Sequence, residues 1–503
     1  MASLVHTITA ITAALYGVNI LEETPAGDIQ GTSTNVVASV ADLPWGPEDT
    51  VTLITSPAEL FDTFAPTAFG RLEQSFPALL AYINKTFPAS MKIVRVAATG
   101  SASATFAFQD NDPAVSVNVT AKHPGALGNQ IKVAWTVNAE TAANRDATVS
   151  IGTAYSVTYP NVATPAGGLT VVDPGDPFVD FVADVAGDEV PDAIAATALA
   201  GGLDGTAVIG DYLGTVGVGR GLEEYADANV DADVIFGAEI PQALVAAWNA
   251  GLKAWMVANK RAFGVLSTDS AITTVAAAIA DVPTYRSDRL MYPWPRVKTV
   301  NTFDPLRAET VVDGNAFAAV AIGSVPPEVS PGGAPGSAFL KGISGLEITG
   351  GLNTNAYKSL NDAGIAPWFN STALEGFIIH RGFTTSIQAA LRRIFRRRMT
   401  DFIMTSIGDA SEVFGGTLLD LDLPNKALGD NTAVQKGRWD EFLGDLVTNN
   451  RIRGYTIDAF SANTQANIDA GQWRVVIAVK LISAQEELVF LANIGETVDL
   501  ETV

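Results

Sequence analysis

A block of alternating side chains in residues 99–202 restricts the fold more than any other feature of this sequence. Residues 115–120 read Val-Ser-Val-Asn-Val-Thr, and residues 131–137 read Ile-Lys-Val-Ala-Trp-Thr-Val. A period of two places successive side chains on opposite faces of a strand, so the pattern predicts antiparallel strands with one solvated face. Residues 167–168 (Gly-Gly) and 174–177 (Pro-Gly-Asp-Pro) predict turns. The block is therefore predicted to be a β-rich domain.

The regions on either side of this block, residues 26–98 and 203–345, have the pattern of an α/β domain. Residues 234–236 and 263–266 are short apolar runs, and a helix-forming stretch around 241–258 separates them. Strands that alternate with helices in this way are typical of parallel βαβ units. We therefore predict one discontinuous α/β domain that carries the β-rich domain as an outward insertion.

The next region, residues 346–483, is predicted to be a C-terminal α+β domain with one clearly patterned helix at 386–403. Thr385 and Gln388 have the spacing of a capping box at the start of this helix. One face of this helix is predicted to be an apolar stripe. Arg398 falls within that stripe, where a charged side chain needs a partner or a route to solvent. The opposite face carries the arginines that we predict to contact a protein partner: Arg392, Arg393, Arg396 and Arg397.

This arginine face is also compatible with an ordinary solvated helix surface or with a contact to nucleic acid. The net charge of −23 and the pI near 4.4 disfavour nucleic acid, because an acidic chain repels the phosphate backbone. A partner that presents carboxylates fits the face better.

The N-terminal end of the chain is predicted to be an arm that pairs with another subunit. Residues 1–25 are rich in β-branched side chains, and an apolar strand at a terminus needs something to pair with. A frayed tail or an edge strand of the first domain is the alternative. The candidate contacts of the N-terminal arm are Leu4, Val5, Ile8, Ile11, Leu15, Val18 and Ile20. At the other end of the chain, residues 484–503 are predicted to be a short strand with an acidic tail.

The sequence carries no recognisable catalytic, cofactor or metal motif, so an enzyme is not predicted. Cys is absent, and the three histidines are far apart in sequence. His380 is predicted to be structural, and Asp420, Asp422 and Asp430 lack the spacing of a calcium loop. Residues 217–221 (Gly-Val-Gly-Arg-Gly) match a dinucleotide-binding loop poorly, because the third glycine is misplaced. No apolar run is long enough to cross a membrane, and no basic region marks a secretion signal.

Five short segments together indicate a family resemblance. Their order along the chain is more informative about the family than any one of the motifs. They are Gly17-Val18-Asn19-Ile20-Leu21-Glu22-Glu23, Gly46-Pro47 with Leu53-Ile54-Thr55-Ser56, Ile93-Val94-Arg95-Val96, His123-Pro124-Gly125-Ala126-Leu127-Gly128-Asn129, and Leu199-Ala200-Gly201-Gly202-Leu203-Asp204-Gly205. In this order they resemble the contractile tail sheath proteins of myophages and phage-like injection particles. The segment at 123–129 is the most specific, and the resemblance weakens after residue 345.

The resemblance implies a structural subunit that polymerises helically around an inner tail tube and contracts to drive the tube through the host envelope. It implies rings of copies, six-fold in symmetry, in which an N-terminal and a C-terminal arm complete a β-sheet in the C-terminal domain of neighbouring copies. The implied C-terminal arm is residues 484–503, with the candidate contacts Leu488, Val489, Phe490 and Leu491. The C-terminal domain would face the tube through the arginine face. Baseplate and tail terminator proteins are the other implied partners, without nucleic acid or membrane insertion. The implied location is the virion, after assembly in the bacterial cytoplasm.

The alternative is a secreted or surface-layer β-rich adhesin. The acidic charge, the lack of Cys and the abundance of Thr and Ala fit such a protein. The order of the α/β segments and the lack of a signal peptide do not.

Overall fold

The computed structural model describes most of the chain between residues 36 and 482. The described residues are 11–13, 18–20, 36–70, 72, 90–111, 114–165, 169–184, 189–228, 230, 232–238, 240–259, 262–299, 309–333, 342–414 and 419–482. Within 36–482 they form two compact units, which meet in sequence between Asp401 and Phe402. We call them the large unit and the C-terminal unit.

The large unit is built on a six-stranded sheet whose strands are mostly parallel. Its strands in spatial order are Leu290–Met291, Phe263–Val265, Val234–Ala238, Val36–Ala41, Ser90–Arg95 and Thr52–Ile54. Only the pair between the last two strands is antiparallel. Every residue of Val36–Ala41 and of the helix Asn315–Gly323 is buried, because this part of the sheet is covered on both faces.

The β-rich block folds as two antiparallel sheets, in agreement with its alternating pattern. The first has the order Thr170–Val171, Tyr155–Thr164, Arg145–Ile151, Ile131–Val137, Ile194–Ala198, and the second has the order Val179–Ala183, Val115–Ala121, Thr105–Gln109. Ile131, Val133 and Trp135 point into the shared core. Trp45 and Phe69, from outside the block, complete this core.

The remaining elements are short sheets and helices. The short sheets pair Pro293–Trp294, Ala366–Ser371 and Gly376–Ile379; Thr310–Val312, Arg296–Thr299 and Ile343–Glu347; Leu421–Asp422 and Ala427–Leu428; and Ile452–Asp458 and Val476–Leu481. The α-helices are Pro57–Phe64, Ile209–Leu213, Glu224–Asp227, Val245–Ala258, Val275–Asp281, Asn315–Gly323, Thr354–Ala363, Ile394–Ser411, Asp430–Thr448 and Gln465–Asp469. The 3₁₀ turns are Thr67–Phe69, Ala126–Gln130, Gly221–Glu223, Gln242–Leu244, Val282–Tyr285 and Glu412–Phe414.

The C-terminal unit begins later than the predicted boundary at residue 346. Ile343–Glu347 pairs with Arg296–Thr299, and Ala366–Ser371 pairs with Pro293–Trp294. These ladders join residues 346–401 to the large unit. The sequence pattern did not reveal them, because each pairing joins strands that lie far apart along the chain.

A buried arginine joins the central sheet to the base of the β-rich insertion. Arg95 is only 4% exposed. Its guanidinium donates to the carbonyl oxygens of Leu43 (2.8 Å), Gly46 (2.6 Å) and Pro124 (2.9 Å). Glu48 Oε1 lies 3.5 Å away. Burial lowers the pKa of Arg95, whereas the charges of Glu48 and nearby aspartates act to raise it.

Two of the segments that carry the family resemblance meet at the base of the insertion. The Asn129 side chain donates to the Gly202 carbonyl and accepts from the Gly202 N–H, both at 2.9 Å. Asp204 Oδ1 accepts from the Ala126 N–H at 2.7 Å. The connections into and out of the insertion are therefore joined by hydrogen bonds.

Replacing Arg95 should destabilise the subunit strongly. In Arg95→Met three carbonyl oxygens lose their donor, two of them in buried bonds, so we expect the free energy of unfolding to fall by about 3 kcal/mol. Urea unfolding followed by tryptophan fluorescence measures the change. Arg220→Met is the matched control, because Arg220 is 54% exposed and pairs with Asp49 at 3.5 Å. That variant should lose about 0.5 kcal/mol. Equal losses in the two variants would contradict the role of Arg95.

Candidate intersubunit interface

The C-terminal unit contains a two-stranded sheet that no third strand joins within the described residues. Ile452–Asp458 pairs with Val476–Leu481 in antiparallel register from Ile452↔Leu481 to Asp458↔Val476. The helix Asp430–Thr448 packs beside this sheet, and Tyr455 Oη donates to the Asp440 carbonyl at 2.8 Å. A sheet of two strands is marginal by itself and leaves backbone groups open at both edges.

The strand Val476–Leu481 is less covered than its sequence predicts. Its apolar residues on both faces predict a strand that is buried on both sides. The structure instead shows exposed and half-buried side chains in alternation, and Val476 is 49% exposed. One face of an apolar strand is therefore open to solvent in the single chain, as expected of a surface that another chain covers.

An apolar groove of about 690 Å³ lies beside this strand. Met404, Trp439, Trp473 and Val476 are among its lining residues, and Met404 is 61% exposed. The two tryptophan rings stack at 5.3 Å between centroids. Their indole N–H groups donate to Ser411 Oγ (3.1 Å) and to the Ala459 carbonyl (3.0 Å). The ring faces are thus held in place by bonds made at their polar edges.

One cationic side chain contacts a wall of the same groove, and a second is a sequence neighbour of its lining residues. The Arg438 guanidinium lies 4.7 Å from the centroid of Phe414, which lines the groove. Arg474 is exposed, and in sequence it lies between two lining residues, Trp473 and Val475. The groove therefore suits a segment that is apolar along one side and acidic at its ends.

The structure describes little of the two predicted arms. Ile11–Ala13 pairs with Val18–Ile20 as a hairpin, with Ile11 opposite Ile20, so this part of the N-terminal arm is not one continuous extended strand. The other predicted contacts lie outside the described residues: Leu4, Val5, Ile8, Leu15, Leu488, Val489, Phe490 and Leu491.

The helix that we predicted at residues 386–403 begins at Ile394, so the predicted start at residue 386 is wrong. Thr385 does not cap a helix. Its hydroxyl contacts the carbonyls of Tyr285 (2.7 Å) and Ser287 (3.0 Å), and it also accepts from the Ser287 N–H (2.9 Å). These distant partners hold the segment before Ile394 in a non-helical conformation, which a local capping pattern does not reveal.

The four predicted contact arginines consequently do not share one helix face. Arg392 and Arg393 precede the helix, whereas Arg396 and Arg397 lie in its first turn. Arg392 stacks on Phe383, 4.4 Å from the ring centroid, and lies 3.8 Å from Asp362. All four side chains are partly exposed.

Arg397 belongs to an ion-pair network inside the large unit. It donates to Asp401 (2.5 and 3.2 Å) and to Asp288 (3.3 Å). Arg289 donates to the same Asp401 carboxylate at 2.7 and 2.9 Å. Burial acts to lower the pKa of Arg397, but the hydrogen bonds and charges of Asp401 and Asp288 outweigh it and raise the pKa.

Two further sequence expectations concern single side chains. Arg398 is 5% exposed and donates to the Val325 carbonyl at 3.0 Å, which supplies the partner that its position in the apolar stripe requires. Burial lowers its pKa to about 10. His380 packs against Tyr357 and Phe369, and its Nδ1 lies 2.9 Å from the side-chain nitrogen of Asn361. These contacts agree with the structural role predicted for His380.

Asp420, one of the aspartates considered for calcium, bonds to the local backbone. Asp420 contacts the backbone N–H groups of Asn431 (3.4 Å) and Thr432 (3.3 Å) at the start of the helix Asp430–Thr448. Across the described part of the chain, no group of three or more His, Asp or Glu residues is arranged to hold a metal ion. No helix in that part has the length and apolar character needed to cross a membrane.

The fold is shared with solved sheath proteins along almost the whole chain. The sheath tail protein of Listeria innocua is 15% identical, with 90% of this chain and 96% of that chain covered and a TM-score of 0.60. The sheath tail protein of Desulfitobacterium hafniense is 14% identical, with 92% and 99% covered and a TM-score of 0.58.

The helical sheath of the anti-feeding prophage in its contracted state is another similar structure. It is 14% identical, with 96% of this chain and 99% of that chain covered and a TM-score of 0.54. No protein-family model and no curated protein matches the chain. At these identities the likeness establishes the fold, and it gives no support to the adhesin alternative.

Replacing Arg397 should destabilise the isolated subunit, unlike replacing its neighbour Arg396. In Arg397→Met, Asp401 and Asp288 each lose a partner, so we expect the free energy of unfolding to fall by roughly 2 kcal/mol or more. Arg396→Met is the control and should change it by less than about 0.5 kcal/mol. Urea unfolding measures both. If Arg397→Met were as stable as wild type, Arg397 would be available for an external contact.

Proposed function

We propose that this chain is the subunit of a contractile sheath, which polymerises helically around an inner tail tube and contracts to drive the tube through a cell envelope. The observation that carries the proposal is the fold shared with solved sheath proteins over nine-tenths or more of the chain. The open sheet and groove of the C-terminal unit support it, because they are surfaces that need another chain.

The two arms would join neighbouring copies by adding strands to the open sheet. The strands Ile452–Asp458 and Val476–Leu481 present edges whose N–H and C=O groups can pair with an added strand. The C-terminal arm suits the groove beside them, because Leu488–Leu491 is apolar and Glu486 and Glu487 precede it. Such contacts join different surfaces of successive copies, so they build an open helix of stacked rings, six-fold in our proposal.

Contraction would need no catalytic chemistry. The extended sheath would be a kinetically trapped state that a baseplate signal releases. Subunits would then move as rigid bodies, with the backbone near the arms acting as hinges, to a state of lower free energy. A tail terminator protein would close the other end. In this proposal the sheath is assembled in the bacterial cytoplasm and functions in the virion.

We propose that residues 392–397, which we call the arginine segment, contact the tube. The contact would be made through Arg393 and Arg396, which are partly exposed. Arg392 and Arg397 were predicted with them. Their ion pairs with Asp362 and with Asp288 and Asp401 would have to be retained or exchanged on binding. An exposed contact of this kind is weakened by salt, which suits an interface that must release.

The purified protein should assemble, and deletion of residues 2–20 should prevent assembly without unfolding the subunit. The hydrophobic core clusters of the large unit lie outside this segment. Negative-stain electron microscopy of the full-length protein, alone and with an inner-tube protein, should show striated hollow tubes or stacked rings. The deletion variant should show single particles with an unchanged circular dichroism spectrum.

A variant of unchanged length controls for the deletion. Val5→Ser, Ile8→Ser and Leu15→Ser together keep the arm but remove its apolar character, and this variant should assemble poorly as well. Normal tubes from the deletion variant would exclude the N-terminal arm as an intersubunit contact. Failure of the full-length protein to assemble, even with the tube, would contradict the sheath function.

Reversing the charge of Arg393 and Arg396 should weaken binding to the tube. For Arg393→Glu with Arg396→Glu, we expect co-sedimentation with tube protein to fall about tenfold at low salt, with a smaller difference at high salt. Lys132→Glu with Lys253→Glu is the control, since it applies the same change of charge elsewhere on the large unit. Equal tube binding by the arginine variant and wild type would remove this segment from the interface.

A further inference from the structure

The described part of the N-terminal arm is paired with itself. Ile11–Ala13 and Val18–Ile20 form an antiparallel pair in which Thr12 lies opposite Asn19. Among the described strands, none joins this pair on either side. We call the pair the arm hairpin. The sequence predicts an arm that pairs with another subunit, but in the single chain this part of the arm pairs with its own backbone.

The arm hairpin shortens the reach of the arm. A β-strand rises about 3.3 Å per residue, so residues 11–20 would span about 30 Å as one extended strand. In the hairpin Ile11 lies opposite Ile20. The Cα atoms of such opposite residues are only about 5 Å apart. An arm that has to reach a neighbouring copy therefore loses most of this span while the hairpin is formed.

The arm hairpin also uses backbone groups that an intersubunit contact would need. In an antiparallel pair, each strand commits the N–H and C=O groups of one edge to its partner. Adding the arm to the open sheet of Ile452–Asp458 and Val476–Leu481 in another copy would form bonds of the same kind. The two arrangements exchange similar hydrogen bonds, so a binding partner can shift the balance between them.

The sequence of the arm hairpin suits both arrangements. Four of its six paired residues are β-branched, which favours a strand whether its partner is internal or external. The connection at residues 14–17 (Ala-Leu-Tyr-Gly) contains a glycine, which tolerates a turn, and no proline, so it can also continue an extended strand. A hairpin of three residue pairs is marginal by itself, so opening it costs little.

We propose that the arm hairpin is a retracted state of the N-terminal arm, which restrains free subunits from polymerising and opens into an extended strand when the arm joins a neighbouring copy. The inference rests on the proposed function, since it requires that copies assemble through this arm. Only the opened fraction of the subunits can bind, so the hairpin lowers the apparent affinity between free copies by that fraction. A sheath end that offers several contacts at once offsets this cost more readily than a single free copy does.

The absence of cysteine allows a direct test of whether the free subunit forms the hairpin. Thr12→Cys with Asn19→Cys places two thiols at opposite positions, where the Cα separation of about 5 Å suits a disulfide. In the free full-length subunit, titrated with glutathione, we expect this pair to oxidise with an effective concentration about tenfold or more above that of a control pair. The control is Ile11→Cys with Asn19→Cys, which is one residue out of register. An unpaired arm would close both loops almost equally.

The same variant tests whether the hairpin has to open. Reduced Thr12→Cys with Asn19→Cys should assemble like wild type, whereas the oxidised form should give an assembled, sedimenting fraction at least about tenfold smaller, because its arm cannot extend. Dithiothreitol should restore assembly. Thr148→Cys with Thr158→Cys is the matched control, because these residues are also opposite each other in an exposed hairpin, within the insertion. That variant should assemble equally in both redox states.

The outcomes separate the retracted state from the sheath function. If the oxidised arm variant assembles as well as the reduced one, the retracted state is wrong and the sheath function stands. Equal effective concentrations for the in-register and out-of-register pairs would also overturn the retracted state, since the free arm would then form no hairpin. If neither wild type nor the reduced variant assembles, with or without tube protein, both the sheath function and the retracted state are contradicted.

Discussion

One buried guanidinium connects the main segments at the base of the insertion in the large unit. Arg95 lies at the end of a central strand and holds the carbonyls of Leu43, Gly46 and Pro124. These three acceptors belong to the segment after the neighbouring strand, to the following turn and to the β-rich insertion. A cation with five donors in a fixed plane can join three such segments, whereas an apolar residue would leave their carbonyls unpaired. The position of the insertion on the sheet depends on this interaction.

The C-terminal unit differs from the large unit in that strand edges and apolar surface are left uncovered in the single chain. Its two-stranded sheet, its half-covered apolar strand and its groove lined by Trp439 and Trp473 are features that a self-sufficient domain avoids. Assembly would complete the sheet with main-chain hydrogen bonds, which persist while subunits rotate as rigid bodies. Stability of the unit and polymerisation of the chain would then have the same physical origin, the pairing of open strand edges.

The arginine segment shows where reasoning from local pattern fails. Thr385 and Gln388 have the right spacing for a capping box, yet Thr385 bonds to Tyr285 and Ser287, far earlier in the chain. Arg397 looks solvent-facing on a helical projection, yet Asp401, Asp288 and Arg289 form a network around it. Helical periodicity predicts which side of a helix is polar. It does not show whether the polar side faces water or buried carboxylates.

The sequence by itself determined the features that depend on neighbouring residues. Period-two alternation predicted the antiparallel insertion, and Ser56 caps the helix Pro57–Phe64 by accepting from the Glu59 N–H, as the local spacing predicts. The order of short motifs also led to the sheath fold. Only the tertiary structure decided the start of the helix Ile394–Ser411, the division at Asp401, and the surface left open at Val476. Those features depend on hydrogen bonds and packing contacts between residues that are far apart in sequence. The local periodicity of the sequence contains no information about such contacts.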